Sequence, residues 1–148
     1  MSDFVYKKAT IDDLDQILEL GNLLADFTIS ETPVSFWTYD SLKACIEKPE
    51  TGTIFCVKAD DDIAGFAIVL YNQAFKVANI DQLFTLPKYR SLGIGKELYN
   101  MVLTDAKDNQ MEKMSLITEF NNTSVINFFE SKGFDKTLNN AKLELDLK

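Results

Sequence analysis

The chain has 148 residues, with 15 Lys+Arg against 23 Asp+Glu, a formal net charge of −8, and no histidine. The length suits one domain on the usual scale of roughly 100–200 residues, and 46% hydrophobic residues, including eleven Phe, supply a core that excludes intrinsic disorder. Without histidine there is no Ser-His-Asp or Cys-His site and no His-held zinc or haem, and the acidic balance argues against nucleic-acid binding.

Phe4–Ala9 reads as a short strand. Thr10 then caps a helix whose first turn holds Asp12 and Asp13, where the helix dipole favours acidic groups. Leu14, Ile17, Leu18, Gly21 and Leu24 recur at helical spacing. An irregular stretch, Thr28–Thr38, leads to a second helix over Asp40–Glu47 that stops before Pro49. Thr53–Ala59 and Ile63–Tyr71 read as strands around Asp60-Asp61-Asp62. That run is a solvated hairpin turn, since a calcium loop needs alternating ligands and a closing Glu.

Ala78–Leu86 is a third strand, ended by Pro87. Gly93–Asp108 is a long helix with Ile94, Leu98, Met101, Val102 and Ala106 on one face. Ser115–Glu119 follows as a strand, and Thr123–Ser131 as a helix with Gly133 as its stop. Ala141–Leu147 alternates like a half-buried last strand, and a short extra strand is expected near Phe134. The order describes a single mixed α/β domain over residues 1–148. Cys45 and Cys56 form no C-x-x-C pair and read as small core residues. No signal-peptide pattern opens the chain, and no stretch approaches the ~18–20 apolar residues that span a bilayer. The expectation is a cytoplasmic protein with neither a membrane nor a nucleic-acid partner.

Chemistry concentrates in Arg90-Ser91-Leu92-Gly93-Ile94-Gly95-Lys96, between a strand and a long helix. Glycines let a ligand approach the backbone. The helix start offers unpaired N–H groups and about half a positive charge, an anion site suited to phosphate. Lys88, Arg90 and Lys96 add positive charge there. A Walker loop is excluded because Glu97 follows Lys96, and a Rossmann loop because Leu98 stands where its third glycine belongs.

The stretch Ile80–Gly95, with its R-x-x-G-x-G after a strand ending near a proline, resembles the acetyl-CoA motif of the GNAT superfamily of N-acetyltransferases. Asn122–Phe134 resembles that family's Asn-containing helix ending in Gly-Phe, and the element order agrees over nearly the whole chain. The resemblance implies a mixed, mostly antiparallel sheet of six to seven strands flanked by about four helices and splayed at an acetyl-CoA cleft. It implies that Arg90, Ser91, Leu92, Gly93, Ile94, Gly95 and Lys96 hold the coenzyme's pyrophosphate. Backbone groups of Leu83, Phe84 and Thr85 would pair with the pantetheine arm, the Leu83 amide serving as oxyanion donor. Asn122 would touch the pantetheine or diphosphate; a helix cap is its other reading. Thr28–Asp40 would cover the substrate cleft, with Trp37 or Phe36 lining it.

Transfer needs a neutral amine, while an alkylammonium has a pKa of roughly 10, so a base must take the proton. Asp81 is the candidate. Alternation puts it on the face of Leu83 and Thr85, and diamine acetyltransferases of the family carry a glutamate at the corresponding position. A solvated carboxylate, or one that attracts a cationic substrate, is its other reading. Glu119 is the reserve base. Phe129 stands where many members carry the Tyr that protonates the leaving thiolate, and Phe cannot donate a proton. The expectation is therefore an acetyl-CoA-dependent N-acetyltransferase acting on a primary amine, with room for a homodimer. An acetyl-CoA-binding regulatory module is the rival.

Overall fold

Thr10 opens the first helical segment as its sequence predicts, and the carboxyl that completes this start also ties the strands together. Asp13 Oδ2 accepts from the Thr10 N–H at 2.8 Å and from Lys7 Nζ at 2.6 Å, while Lys58 Nζ lies 3.0 Å from Oδ1. Burial alone would raise this carboxyl. Hydrogen bonds from Lys7, the Thr10 amide and Lys58 outweigh that and hold it well below the usual carboxylate range.

The computed structural model describes residues 3–26, 37–118, 122–137 and 145–147. They belong to two units, Met1–Ile117 and Thr118–Lys148. In the first, β1 (Phe4–Lys8) leads through a 3₁₀ turn to α1 (Leu14–Asp26). Then come α2 (Tyr39–Glu47), β2 (Gly52–Ala59), β3 (Asp62–Asn72), β4 (Val77–Thr85), α3 (Ile94–Asp108) and β5 (Lys113–Ser115). The sheet order is β1-β2-β3-β4-β5. Neighbours run antiparallel except β4 and β5, which are parallel.

Period-two alternation sorts the core into two layers. Ile54 and Cys56 of β2 and Phe66 and Ile68 of β3 join Leu14 and Ile17 of α1 and Leu42 and Cys45 of α2 in one buried cluster. On the other face α3 packs across β2, β3 and β4 and buries Ile94, Leu98, Val102 and Ala106. β3 is covered on both faces, which is why Ile63–Val69 reads as an almost unbroken apolar run. Each such fully buried Ile, Leu or Phe stabilises the fold by about 1.5–3 kcal/mol. Burial also raises both free thiols, Cys56 to about 11.

Gly65 closes this layer against the end of β4. A Cβ there would lie 2.6 Å from the Phe84 carbonyl oxygen and 3.4 Å from Ile94 Cγ2. Only glycine lets β3, β4 and the first residue of α3 meet this closely.

Five strands stand among the described residues, against the six to seven expected. The strand expected at Ser115–Glu119 lies earlier, at Lys113–Ser115, because the Glu112 and Lys113 amides both bond the Lys76 carbonyl and start the pairing there. No strand forms at Phe134, whose amide instead bonds Phe129 O at 3.1 Å and closes α4 (Thr123–Ser131), with Gly133 at φ +96°. Most of the expected last strand, residues 141–144, lies outside the described residues, and Leu145–Leu147 carry no regular structure. Most of the Thr28–Thr38 stretch also lies outside them. Among the described residues no helix is long and apolar enough to cross a membrane.

Candidate active site

Two irregularities of β4 coincide. Its parallel pairing with β5 runs from Val77↔Lys113 only to Asn79↔Ser115, where Ser115 Oγ donates to Asn79 Oδ1 across the last rung. Immediately beyond, Ile80 pairs with Val69 and Gln82 with Ile68, which leaves Asp81 with no partner on β3. Asp81 is the extra residue of a β-bulge, a device that bends a strand and re-aims a side chain. β4 then continues to Thr85 past the end of β5.

The bulge corrects the alternation read from the sequence. Ile80 now shares a face with Leu83 and Thr85, since their partners Val69, Ala67 and Gly65 share one on β3. That face receives α3 at Gly65 and Ile94. Asp81 instead meets Trp37, whose Nε1–H donates to Asp81 Oδ2 at 2.6 Å. Trp37 packs with Phe84 against the core cluster of α1 and α2. It directly precedes Thr38, which caps α2 by accepting the Ser41 N–H at 3.1 Å. Asp81 itself is exposed, and Leu83, Phe84 and Thr85 are half-buried.

After β4 the chain turns through a 3₁₀ segment, Pro87–Tyr89. Arg90 is exposed and folds back so that its Nε donates to the Thr85 carbonyl at 3.2 Å; Lys88 Nζ lies 4.9 Å over the Tyr89 ring. Ser91 and Gly93 both take left-handed backbone, at φ +68° and +81°. A left-handed Gly93 running into the right-handed start of α3 turns successive amides into a concave anion nest. α3 then starts with no side-chain cap on its N-cap residue Gly93. Its first intrahelical bond from this end is Glu97 N–H to Gly93 O at 3.1 Å, so the amides of Ile94, Gly95 and Lys96 have no partner within the helix.

Space exists for a ligand here. A Cβ on Gly93 would meet nothing within 4 Å, and one on Gly95 only Thr85 Oγ1 at 3.9 Å. Leu92 and Lys96 are exposed, whereas the Ile94 side chain is core, so only its backbone can serve a ligand. The diphosphate of a nucleotide-type ligand fits this arrangement of open backbone, helix dipole and nearby cations.

The second unit carries two more of the sequence-predicted residues. Asn122 precedes α4 but makes no side-chain cap; its Nδ2 donates to Thr118 Oγ1 at 3.3 Å. Phe129 is buried, its ring edge-on to Phe128 at 5.0 Å and to Phe134 at 5.1 Å. Glu119 lies outside the described residues. The sequence reading missed Gly65, although a glycine inside a strand was the available signal. It named Trp37 only as a lining residue, because nothing local links positions 44 apart.

The sequence model of the acetyltransferase (GNAT) family matches residues 17–134. No curated protein matches the chain in sequence. Among solved structures, a transcriptional regulator from Bacillus halodurans C-125 superposes with a TM-score of 0.76 at 20% identity, over 97% of this chain and 100% of that one. An aminoglycoside acetyltransferase from an uncultured soil metagenomic sample, in complex with sisomicin, gives 0.76 at 15% identity over 97% of each chain. A possible acetyltransferase from Clostridium difficile 630 gives 0.73 at 21%, over 97% of this chain and 98% of that one. At such identities these likenesses show a shared fold.

Proposed function

This chain belongs to the acetyltransferase (GNAT) family, and we propose that it moves the acetyl group of acetyl-CoA to a primary amine, most readily a small cationic one, by direct attack on the thioester. It is an N-acetyltransferase, and acetyl-CoA is its co-substrate. In our reading residues 1–148 work as a single domain, which the family match supports by running across both units.

The observation that carries the reading is the coincidence at Asp81: an exposed carboxylate sits on a bulge at the point where β4 loses its β5 partner. An incoming ammonium gives its proton to Asp81, directly or through water. Its nitrogen then bonds the acetyl carbon, the carbon–sulfur bond breaks, and the nitrogen's second proton passes to solvent, which protonates the departing thiolate to the free thiol. The Leu83 amide would polarise the carbonyl, and backbone groups of Phe84 and Thr85, on the stretch of β4 that runs past β5, would hold the pantetheine arm. Arg90 and the amides of Ser91–Lys96 would hold the diphosphate. The leaving thiolate departs without help from Phe129, a tolerable loss for a group whose conjugate acid has a pKa near 8.5.

The test is thiol release from acetyl-CoA with a panel of primary amines, beside calorimetric binding of acetyl-CoA. Turnover with an alkylamine supports transfer. Binding without turnover on any amine would favour the rival, an acetyl-CoA-binding regulatory module. Phe129 and the structural neighbour named as a transcriptional regulator favour that rival.

A further inference from the structure

We propose that Trp37 is a positioning residue for the reaction. Its indole N–H holds one oxygen of Asp81 so that the other meets the acceptor's ammonium, and the ring and carboxylate together make a cation-selective acceptor subsite. This rests on reading Asp81 as the group that meets the acceptor.

Among the described residues of the first unit three carboxylates accept hydrogen bonds from other side chains, and they differ in what donates to them. Asp13 is buried and engaged by Lys7 and Lys58. Asp105 is buried, accepts from Thr53 Oγ1 at 2.8 Å and from the Tyr71 hydroxyl, and has Lys8 Nζ 3.5 Å away. Asp81 is exposed, and among the described residues no lysine or arginine pairs with it. Its partner is a neutral indole.

That difference has a chemical consequence. A bond of 2.6 Å is short even for a charge-assisted N–H···O⁻ bond and fixes the rotation of the carboxylate. The donor brings no charge, so among the described residues the negative charge stays uncompensated. Among the described residues only Oδ2 is taken, and an ionised carboxylate has room for further donors on its other oxygen. The indole is the aromatic face that attracts cations best. Its own position is set from α2, through the capped turn at Thr38, and by packing on the core cluster. A fixed, uncompensated carboxylate beside an indole selects an ammonium over an uncharged isostere, and the net charge of −8 draws cations toward it. A mere strut between α2 and the sheet needs neither an exposed carboxylate nor a lone, uncharged donor.

Trp37 is the chain's one tryptophan, so its emission reports on this subsite without any turnover. The full chain is titrated with 1,4-diaminobutane, and with 1,4-butanediol as the uncharged isostere, at constant ionic strength, with and without coenzyme A. The diamine should change the emission saturably and the diol should not. Asp81→Asn should weaken the diamine response about 10-fold or more. In steady state Trp37→Phe, which keeps a ring and loses the N–H, should cut kcat/KM for the amine about 10-fold and leave the KM for acetyl-CoA unchanged. In an Asp81→Asn background the same change should add less than about 2-fold, because the two residues act as one unit.

Equal losses from Trp37→Phe in both backgrounds, or a lowered melting temperature with an unchanged amine KM, would identify a strut and overturn the proposal. Amine turnover with no emission response would also remove the subsite while sparing the transfer reading. An emission response lost in Asp81→Asn, with no turnover on any amine, would keep the subsite and remove the transfer reading.

Discussion

Replacing Gly95 by alanine should move stability and acetyl-CoA affinity in opposite directions. Gly95 is the second residue of α3, and its backbone is outside the left-handed region, unlike that of Gly93. A Cβ there has Thr85 Oγ1 as its nearest neighbour, at 3.9 Å, an ordinary contact. Alanine is favoured over glycine by about 0.8–1.0 kcal/mol inside a helix, and by roughly half that so near its end. A stabilisation of ~0.5 kcal/mol raises the melting temperature of a chain this size by about 1–2 °C. The same methyl occupies the open space in front of the uncapped amides, where the diphosphate needs close approach. A 10-fold weaker Kd, about 1.4 kcal/mol, is expected. Thermal melting and titration calorimetry on one variant measure both. A raised melting temperature with an unchanged Kd would mean that this space is not where the diphosphate binds.

Gly65→Ala should behave in the opposite way in melting experiments. Its Cβ meets the Phe84 carbonyl at 2.6 Å, so β4 must shift, at a cost of about 1–3 kcal/mol, and acetyl-CoA binding should fall with it. Phe129→Tyr enlarges a buried ring packed against the half-buried Phe128 and Phe134 and should destabilise by about 1–3 kcal/mol, with no gain in turnover; a faster enzyme would contradict that. Asp13→Asn should cost about 3 kcal/mol near neutral pH, as loss of a buried carboxylate from a paired cluster does. The Asp13 carboxyl is held low in the folded protein, so its contribution is fully present above the unfolded pKa near 4 and fades as pH falls through the lower folded value. Lys58 is raised chiefly by its hydrogen bond to Asp13, so its share fades as pH climbs past about 10. Denaturant melts of wild type and Asp13→Asn should therefore differ by a constant amount between about pH 5 and 9 and converge below about pH 4.

Local signals were legible wherever the physics is local. The Thr10 start, the stop of α2 before Pro49, the limits of α4 and the strand–loop–helix around Gly93 all follow from caps, proline and glycine. Each depends on residues within one turn of chain. What escaped depends on partners far away in sequence. The run Ala78–Leu86 reads as a plain strand, and nothing in it marks Asp81 as the extra residue, because a bulge is defined by the strand beside it. β5 is shorter than its apolar run suggests, since its pairing stops at the polar rung Asn79↔Ser115. Asp13 was legible as a first-turn acid but not as the anchor of Lys7 and Lys58, which come from two strands. The strand–loop–helix shape was visible in the sequence; the face on which the candidate base stands was not.

If Asp81 removes the acceptor's proton during acetyl transfer, Asp81→Asn should change the pH dependence of the rate. Rates are compared with wild type on one primary alkylamine from about pH 7 to pH 10, with acetyl-CoA affinity measured alongside. Asp81→Asn should lose about 10²-fold or more near pH 7, with unchanged acetyl-CoA affinity. The deficit should shrink as the amine, with a pKa of roughly 10, supplies its own neutral form. A deficit of the same size at every pH, or none at all, would contradict it.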